Sequence, residues 1–125
     1  MNIEEMKSNL QMKNLYFSRC TFERSDSLDK GEIEMTLAKR INKTGEHEYD
    51  VALKLNAGKA DMQLEIVANA VFVYEADSYE DEQEIIEHNT VAIMFPYVRS
   101  QATLMTSQPG MQPIIVPPIN TTNFM

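Results

Sequence analysis

The feature that most limits the fold is a period-two alternation. Ile33, Met35, Leu37 and Ile41 alternate with Glu32, Glu34, Thr36 and Arg40. In an extended strand this spacing puts the apolar side chains on one face and the polar ones on the other, as a half-buried strand requires. The rhythm returns with Tyr49, Val51, Leu53 and Leu55 against Glu48, Asp50, Ala52 and Lys54, and again with Met62, Leu64 and Ile66 against Gln63 and Glu65. Asn42-Lys43-Thr44-Gly45 and Asn56-Ala57-Gly58-Lys59 carry turn chemistry between these runs, so the three predict an antiparallel meander. An earlier run from Leu15 to Arg24 adds a first strand, with Tyr16, Cys20 and Phe22 on one face and Arg19, Thr21 and Glu23 on the other.

The last of these strands breaks the rule. From Val67 to Tyr74 both faces are largely apolar, with Val67, Val71 and Val73 standing where the other strands carry charges. An antiparallel sheet can keep one face in water, so this strand calls for a cover on its outer half: a partner subunit, the C-terminal segment or a ligand groove. An acidic run comes next, with Glu75, Asp77, Glu80, Asp81, Glu82, Glu84 and Glu87 and no basic residue among them. It reads as a solvated connection, or as a docking face for a basic partner.

Asn89 or Thr90 can cap a helix, and Pro96 is tolerated if the helix proper begins near Phe95. Val98, Ala102 and Met105 then share one face, with Tyr97 and Leu104 on a neighbouring one. Two apolar stripes exceed what one sheet needs, which makes Phe95, Tyr97, Val98, Ala102 and Met105 candidates for an interface between subunits. After Pro109-Gly110, the run Pro113-Ile114-Ile115-Val116-Pro117-Pro118-Ile119 is too rich in proline for a helix or a central strand. It reads as an extended apolar connection forming one wall of a groove. Val67, Val71, Phe72, Val73, Ile114, Ile115, Val116 and Ile119 are therefore the candidate groove residues.

The expected fold class is α+β, a four-stranded antiparallel sheet followed by one long helix and an extended proline-rich connection. The expected division of residues 1–125, one domain, is a loose arm over 1–13, the sheet over 14–75, an acidic connection over 76–88, the helix over 89–108 and the extended segment over 109–125. A net charge of −8 and a pI near 4.7 argue against nucleic acid and against an anionic membrane surface as partners. The single cysteine, Cys20, excludes an internal disulfide and fits a reducing compartment. With neither a signal-peptide pattern nor a long apolar run, the expectation is a cytoplasmic chain without direct membrane insertion.

Chemistry is sparse. His47 and His88 lack companions at metal-ligand spacing, the four glycines are isolated, and no nucleophile motif is present, so no catalytic set, metal or cofactor is expected. Nine methionines, Met94, Met105 and Met111 among them, suit apolar surfaces that accept varied partners.

Met94-Phe95-Pro96-Tyr97-Val98-Arg99, followed by Pro109-Gly110, Pro113 and Pro118-Ile119-Asn120, resembles the helix and following connection of the SecB-type protein-export chaperones. Leu15-Tyr16 through Thr21-Phe22-Glu23 resembles that family's first strand, and Leu64-Glu65-Ile66 through Phe72 its fourth. The resemblance implies an ATP-independent holdase that binds unfolded preproteins in apolar grooves, assembles as a dimer or a dimer of dimers, and passes its clients to the SecA motor. It assigns Glu23 and Glu65 to motor docking, while Arg19 stands where an acid is expected. The family pattern continues past Asn120 into a final helix, which this chain is expected to lack. Both departures suit an alternative in the same family, a chaperone dedicated to one client such as the antitoxin of a toxin–antitoxin system. A small-ligand-binding module or a small enzyme is the reading from a different class.

Overall fold

The computed structural model describes residues 9–25 and 31–118. Four antiparallel strands, β1 (Leu10–Arg24), β2 (Glu34–Gly45), β3 (Glu48–Lys59) and β4 (Met62–Tyr74), form one sheet in the order β1-β4-β3-β2. One helix, α1 (Glu82–Thr106), crosses a single face of the sheet. The α+β expectation therefore stands.

Register explains the alternation. β3 and β4 pair without a break, Tyr49 against Phe72, Leu53 against Ala68, Leu55 against Ile66. Each pair directs its side chains to the same face, and that face carries the core: Val51, Leu53, Ile66, Ala68 and Phe72 are fully buried. The pattern runs on past both expected turns. Asn56 to Lys59 belongs to β3, with Ala57 buried, and the turn is Ala60-Asp61; Asn42 to Gly45 belongs to β2, and the turn is Glu46-His47, with φ 60° at His47. Continued burial of the inner row outweighed the turn preference of asparagine and glycine.

β1 departs further from expectation. It begins at Leu10, so residues 10–13 of the expected loose arm are strand, with Leu10 and Met12 opposite Tyr74 and Phe72. Register shifts between Lys13 and Tyr16 and between Phe17 and Arg19, with φ 56° at Asn14, interrupt the pairing. Each bulge reverses the facing of the residues beyond it. Phe17, Cys20 and Phe22 therefore pair with inner-row residues of β4, whereas Tyr16 pairs with Asn69 on the outer face. Tyr16 and Cys20 do not share a face.

α1 starts at Glu82 rather than near Asn89, and so includes the end of the acidic run. Its buried row steps by four, Glu82, Ile86, Thr90, Met94, Val98, Ala102 and Thr106, a ridge that an eye following carboxylates overlooks. Glu82 and Glu84 in the first turn suit the positive end of the helix dipole. Pro96 lies inside the helix, on the exposed side, as does Ala92 four residues before it. The ring removes one backbone donor where the orphaned carbonyl can reach water.

A helix about 10 Å across cannot cover four strands spaced about 4.8 Å apart. α1 packs chiefly on β4 and β3 and less on β1. The inner row of β2, Met35, Leu37 and Ile41, is only half buried.

Candidate functional site

Beyond Thr106 the chain turns at Pro109-Gly110 and runs back along the helix as an extended strap over residues 111–118. Gly110 has φ 73°, with nothing within 4 Å of where a Cβ would stand, so glycine is needed there for backbone conformation and not for space. Two threonines of α1 hold the strap: Ile114 N–H donates to Thr106 Oγ1 at 2.8 Å, and Thr103 Oγ1 donates to the Ile114 carbonyl at 2.7 Å. Arg99 Nε donates to the Val116 carbonyl at 2.9 Å. Prolines 113, 117 and 118 have no N–H to offer, so side chains of the helix take the role a neighbouring strand would have had. Ile114 and Val116 turn inward and are buried; Ile115 turns outward and is 76% exposed.

Between the strap and the start of β2 lies a cleft of about 500 Å³. Ile33, Met35, Met62, Met111, Ile114 and Ile115 supply its apolar lining. Arg24, Lys59 and Asp61 close one end, with Arg24 Nη2 donating to the Gly110 carbonyl at 3.1 Å and Lys59 Nζ 3.4 Å from Asp61 Oδ1. That oxygen is buried and accepts no hydrogen bond within the described part of the chain. Thioethers and branched aliphatic groups at a surface cleft accept apolar side chains of varied shape and provide no nucleophile. The half-buried row of β2 continues the apolar track away from the cleft.

The expected groove residues divide. Ile114, Ile115 and Val116 belong to the strap, and Phe72 is buried in the core under α1. Val67, Val71 and Val73 are on the outer face of β4, opposite Arg19, Lys13 and Gln11 of β1. A sheet separates them from the strap, so one groove cannot contain both sets; a period of two on one strand makes opposite faces unavoidable. Ile119 lies outside the described residues. Sequence reasoning missed Ile33, Met35, Met62 and Met111 as cleft residues, although the period-two row of β2 already named the first two as inward-facing.

The interface candidates divide as well. Phe95, Val98 and Ala102 are buried and Met105 is half buried, while Tyr97 is 48% exposed. Leu104, at 67% exposure, joins Tyr97 on the far side of the helix, so the second apolar stripe does exist. Glu23 and Glu65 both face outward from the sheet, Glu23 exposed and Glu65 half buried. Arg19 Nε and Lys54 Nζ stand 3.6 and 3.8 Å from Glu65 Oε1, which offsets its charge.

The other end of α1 is closed. Tyr49 O–H donates to Glu82 Oε2 at 2.6 Å, and His47 Nδ1 shares a short hydrogen bond with Glu82 Oε1. Tyr79 stacks on the His47 ring, centroids 3.7 Å apart, and meets Tyr74 edge-on. Burial alone would raise the Glu82 pKa; the hydrogen bonds from Tyr49 and His47, with the charges of His47 and Lys43, outweigh it and hold the carboxyl below its ordinary value. Burial, followed by the Glu82 hydrogen bond and charge, pushes the Tyr49 hydroxyl up to about 12. Among the described residues no group of three or more His, Cys, Asp or Glu is placed to hold a metal ion, and no helix is long and apolar enough to cross a membrane.

Comparison with known proteins gives the context for this arrangement. The family model described as preprotein translocase subunit SecB matches residues 4–124. An uncharacterised protein of Methanocaldococcus jannaschii is 26% identical over 124 residues, covering 94% of this chain and 80% of that protein. Among solved structures, the Mycobacterium tuberculosis SecB-like chaperone Rv1957, in complex with a ChAD peptide from the HigA1 antitoxin, superposes with a TM-score of 0.71 at 11% identity, covering 94% of this chain and 92% of the other. A Streptococcus agalactiae protein of unknown function matches with a TM-score of 0.54 at 9% identity, covering 86% of this chain and 96% of the other. At those identities the two structures speak for the fold.

Proposed function

The chain belongs to the SecB family, and on that premise we propose that it is an ATP-independent holdase, taking apolar segments of non-native polypeptides into the cleft between the strap and β2. The observation that carries this reading is the cleft itself: an apolar lining rich in methionine, beside an uncovered row of β2, with no catalytic group converging on it. SecB is not an enzyme family, and this chain performs no bond-making chemistry. Its action is cytoplasmic. It assembles with copies of itself through the exposed stripe of Tyr97 and Leu104, which a lone protomer leaves in water.

A second reading is favoured by the pairing of Glu65. With Arg19 and Lys54 against it, the outer face does not present the acidic patch that docking to the SecA motor requires. A dedicated client, of the kind the antitoxin peptide represents for the Mycobacterium tuberculosis neighbour, asks nothing of that face.

The test is suppression of aggregation of a slow-folding client without ATP, read by light scattering alongside native mass. Wild type is expected to protect, Met111→Asp and Ile115→Asp to protect poorly while staying folded, and Tyr97→Asp with Leu104→Asp to lower the native mass. A wild-type protein that fails to delay aggregation at stoichiometric concentration overturns the reading. Pull-down of the SecA motor by wild type and by Arg19→Asp separates general export from a dedicated client: capture by both supports export, capture by neither supports the dedicated role.

A further inference from the structure

The sheet has two free edges, and they are built differently. β1 carries two register shifts and a left-handed Asn14, devices that bend a strand and spoil it as a template for another chain. β2 has none of these over its central length: its pairing with β3 runs in unbroken register from Glu34 to Lys43, it contains no proline, and no strand among the described residues pairs with its outer side. A regular edge of this length exposes a row of main-chain donors and acceptors. In most sheets that invites aggregation.

The side chains along this edge are also unlike those elsewhere. On the inner face Met35, Leu37 and Ile41 are half buried, leaving apolar surface that one more strand would cover. Arg40 stands on the outer face and Lys43 on the inner, both exposed, as their pairing with Ala52 and Tyr49 requires. In a chain of net charge −8, a cation on each face of one edge is a local reversal of sign.

We infer that β2 receives the client as an added strand, an extended segment with apolar residues facing Met35, Leu37 and Ile41 and carboxylates near Arg40 and Lys43. This rests on the holdase reading and specifies how that site holds its substrate. Main-chain hydrogen bonds are independent of side-chain identity, so they supply affinity for many sequences, while the alternating row and the two cations select among them. The cleft at the start of β2 then takes the side chains at one end of the same segment.

The test uses the full chain and a fluorescent synthetic peptide alternating leucine with aspartate, compared with one alternating leucine with lysine. The aspartate peptide is expected to bind more tightly, with the preference reversed in Arg40→Glu/Lys43→Glu, each swing being about tenfold. The decisive probe is N-methylation along the bound peptide. In an added antiparallel strand, alternate residues send their N–H groups to the partner strand. Methylating one parity should therefore abolish binding and methylating the other should leave it within a few fold. Hydrogen exchange at β2 amides should slow on peptide addition. Equal sensitivity of the two parities, or protection confined to the strap, overturns the added strand while leaving the holdase reading intact. β2 amides already protected in the free protein would mean that the edge is occupied by a second copy or by the chain's own terminus, and would also overturn it. Loss of both peptide binding and aggregation suppression would defeat the holdase reading itself.

Discussion

The two ends of α1 rest on the same sheet yet are secured in opposite ways. At the first turn, Glu82 is buried and accepts from Tyr49 and His47, while Tyr79 and Tyr74 wall the site. At the last turn, threonine side chains and Arg99 hold a strap whose Ile115 projects into solvent beside an open cleft. A polar network with its acceptor bonded on both oxygens leaves little freedom, and a strap hung on side chains leaves much more. The lesson is one of separation: one end of the helix carries stability, the other carries the surface that binds.

Variants break this contrast in a graded way. Glu82→Ala should have the largest effect, costing about 3 kcal/mol in urea unfolding, because it leaves the Tyr49 hydroxyl and the His47 ring buried without their shared acceptor. Client protection at temperatures where the variant remains folded should survive. A cost below about 1 kcal/mol would mean that the N-terminal end is not the anchor.

Acid should attack the same end. The Glu82 carboxyl is held below its ordinary value of 4.5 in the folded chain, so its contribution is complete above that value and is lost as pH falls through the lowered one. Tyr49 acts at the alkaline side: its proton is held more tightly when folded, so its contribution is intact below 10 and declines as pH rises towards about 12. Stability against pH should therefore fall away at both extremes, and Glu82→Gln should flatten the acid limb. An acid limb of unchanged steepness would assign it to other carboxylates.

Thr106→Val should cost about 1.5 kcal/mol, since the Ile114 N–H loses its acceptor in a buried setting. Here the sharper readout is local. Proteolysis within the strap should accelerate, and client protection should fall, before the sheet loses stability. If cleavage rates at the strap match wild type, the threonine contacts do not hold it. At the small end, Val71→Thr on the outer face should change stability by no more than about 0.5 kcal/mol and leave client protection as it was. A clear loss of protection would return the groove to the face on which the sequence first suggested it.

How much of this was legible in the chain depends on the range of the interaction. The inner rows of β2, β3 and β4 were readable residue by residue, because a strand's facing is a local property. The helix was readable in its second half, where Val98 and Ala102 mark the buried side, but its first two turns were hidden by the density of carboxylates around Ile85 and Ile86. The strap was readable through its prolines. Its attachment was not, since nothing about Thr103 or Thr106 in sequence says that a segment eight or more residues later will bond to them.

Taken alone, the sequence determined the strand count, the antiparallel class, the inward rows, the single helix, the extended proline segment and the family. Those stem from periodicity, turn chemistry and backbone restriction, all expressed over a few residues. Tertiary structure decided which apolar residues were surplus. The bulges of β1 sent Tyr16 outward and Cys20 inward, the sheet divided Val67, Val71 and Val73 from Ile114 to Val116, and the width of one helix left β2 uncovered. Whether an apolar side chain is core or binding surface depends on what else reaches it, which is settled only when distant parts of the chain compete for the same face.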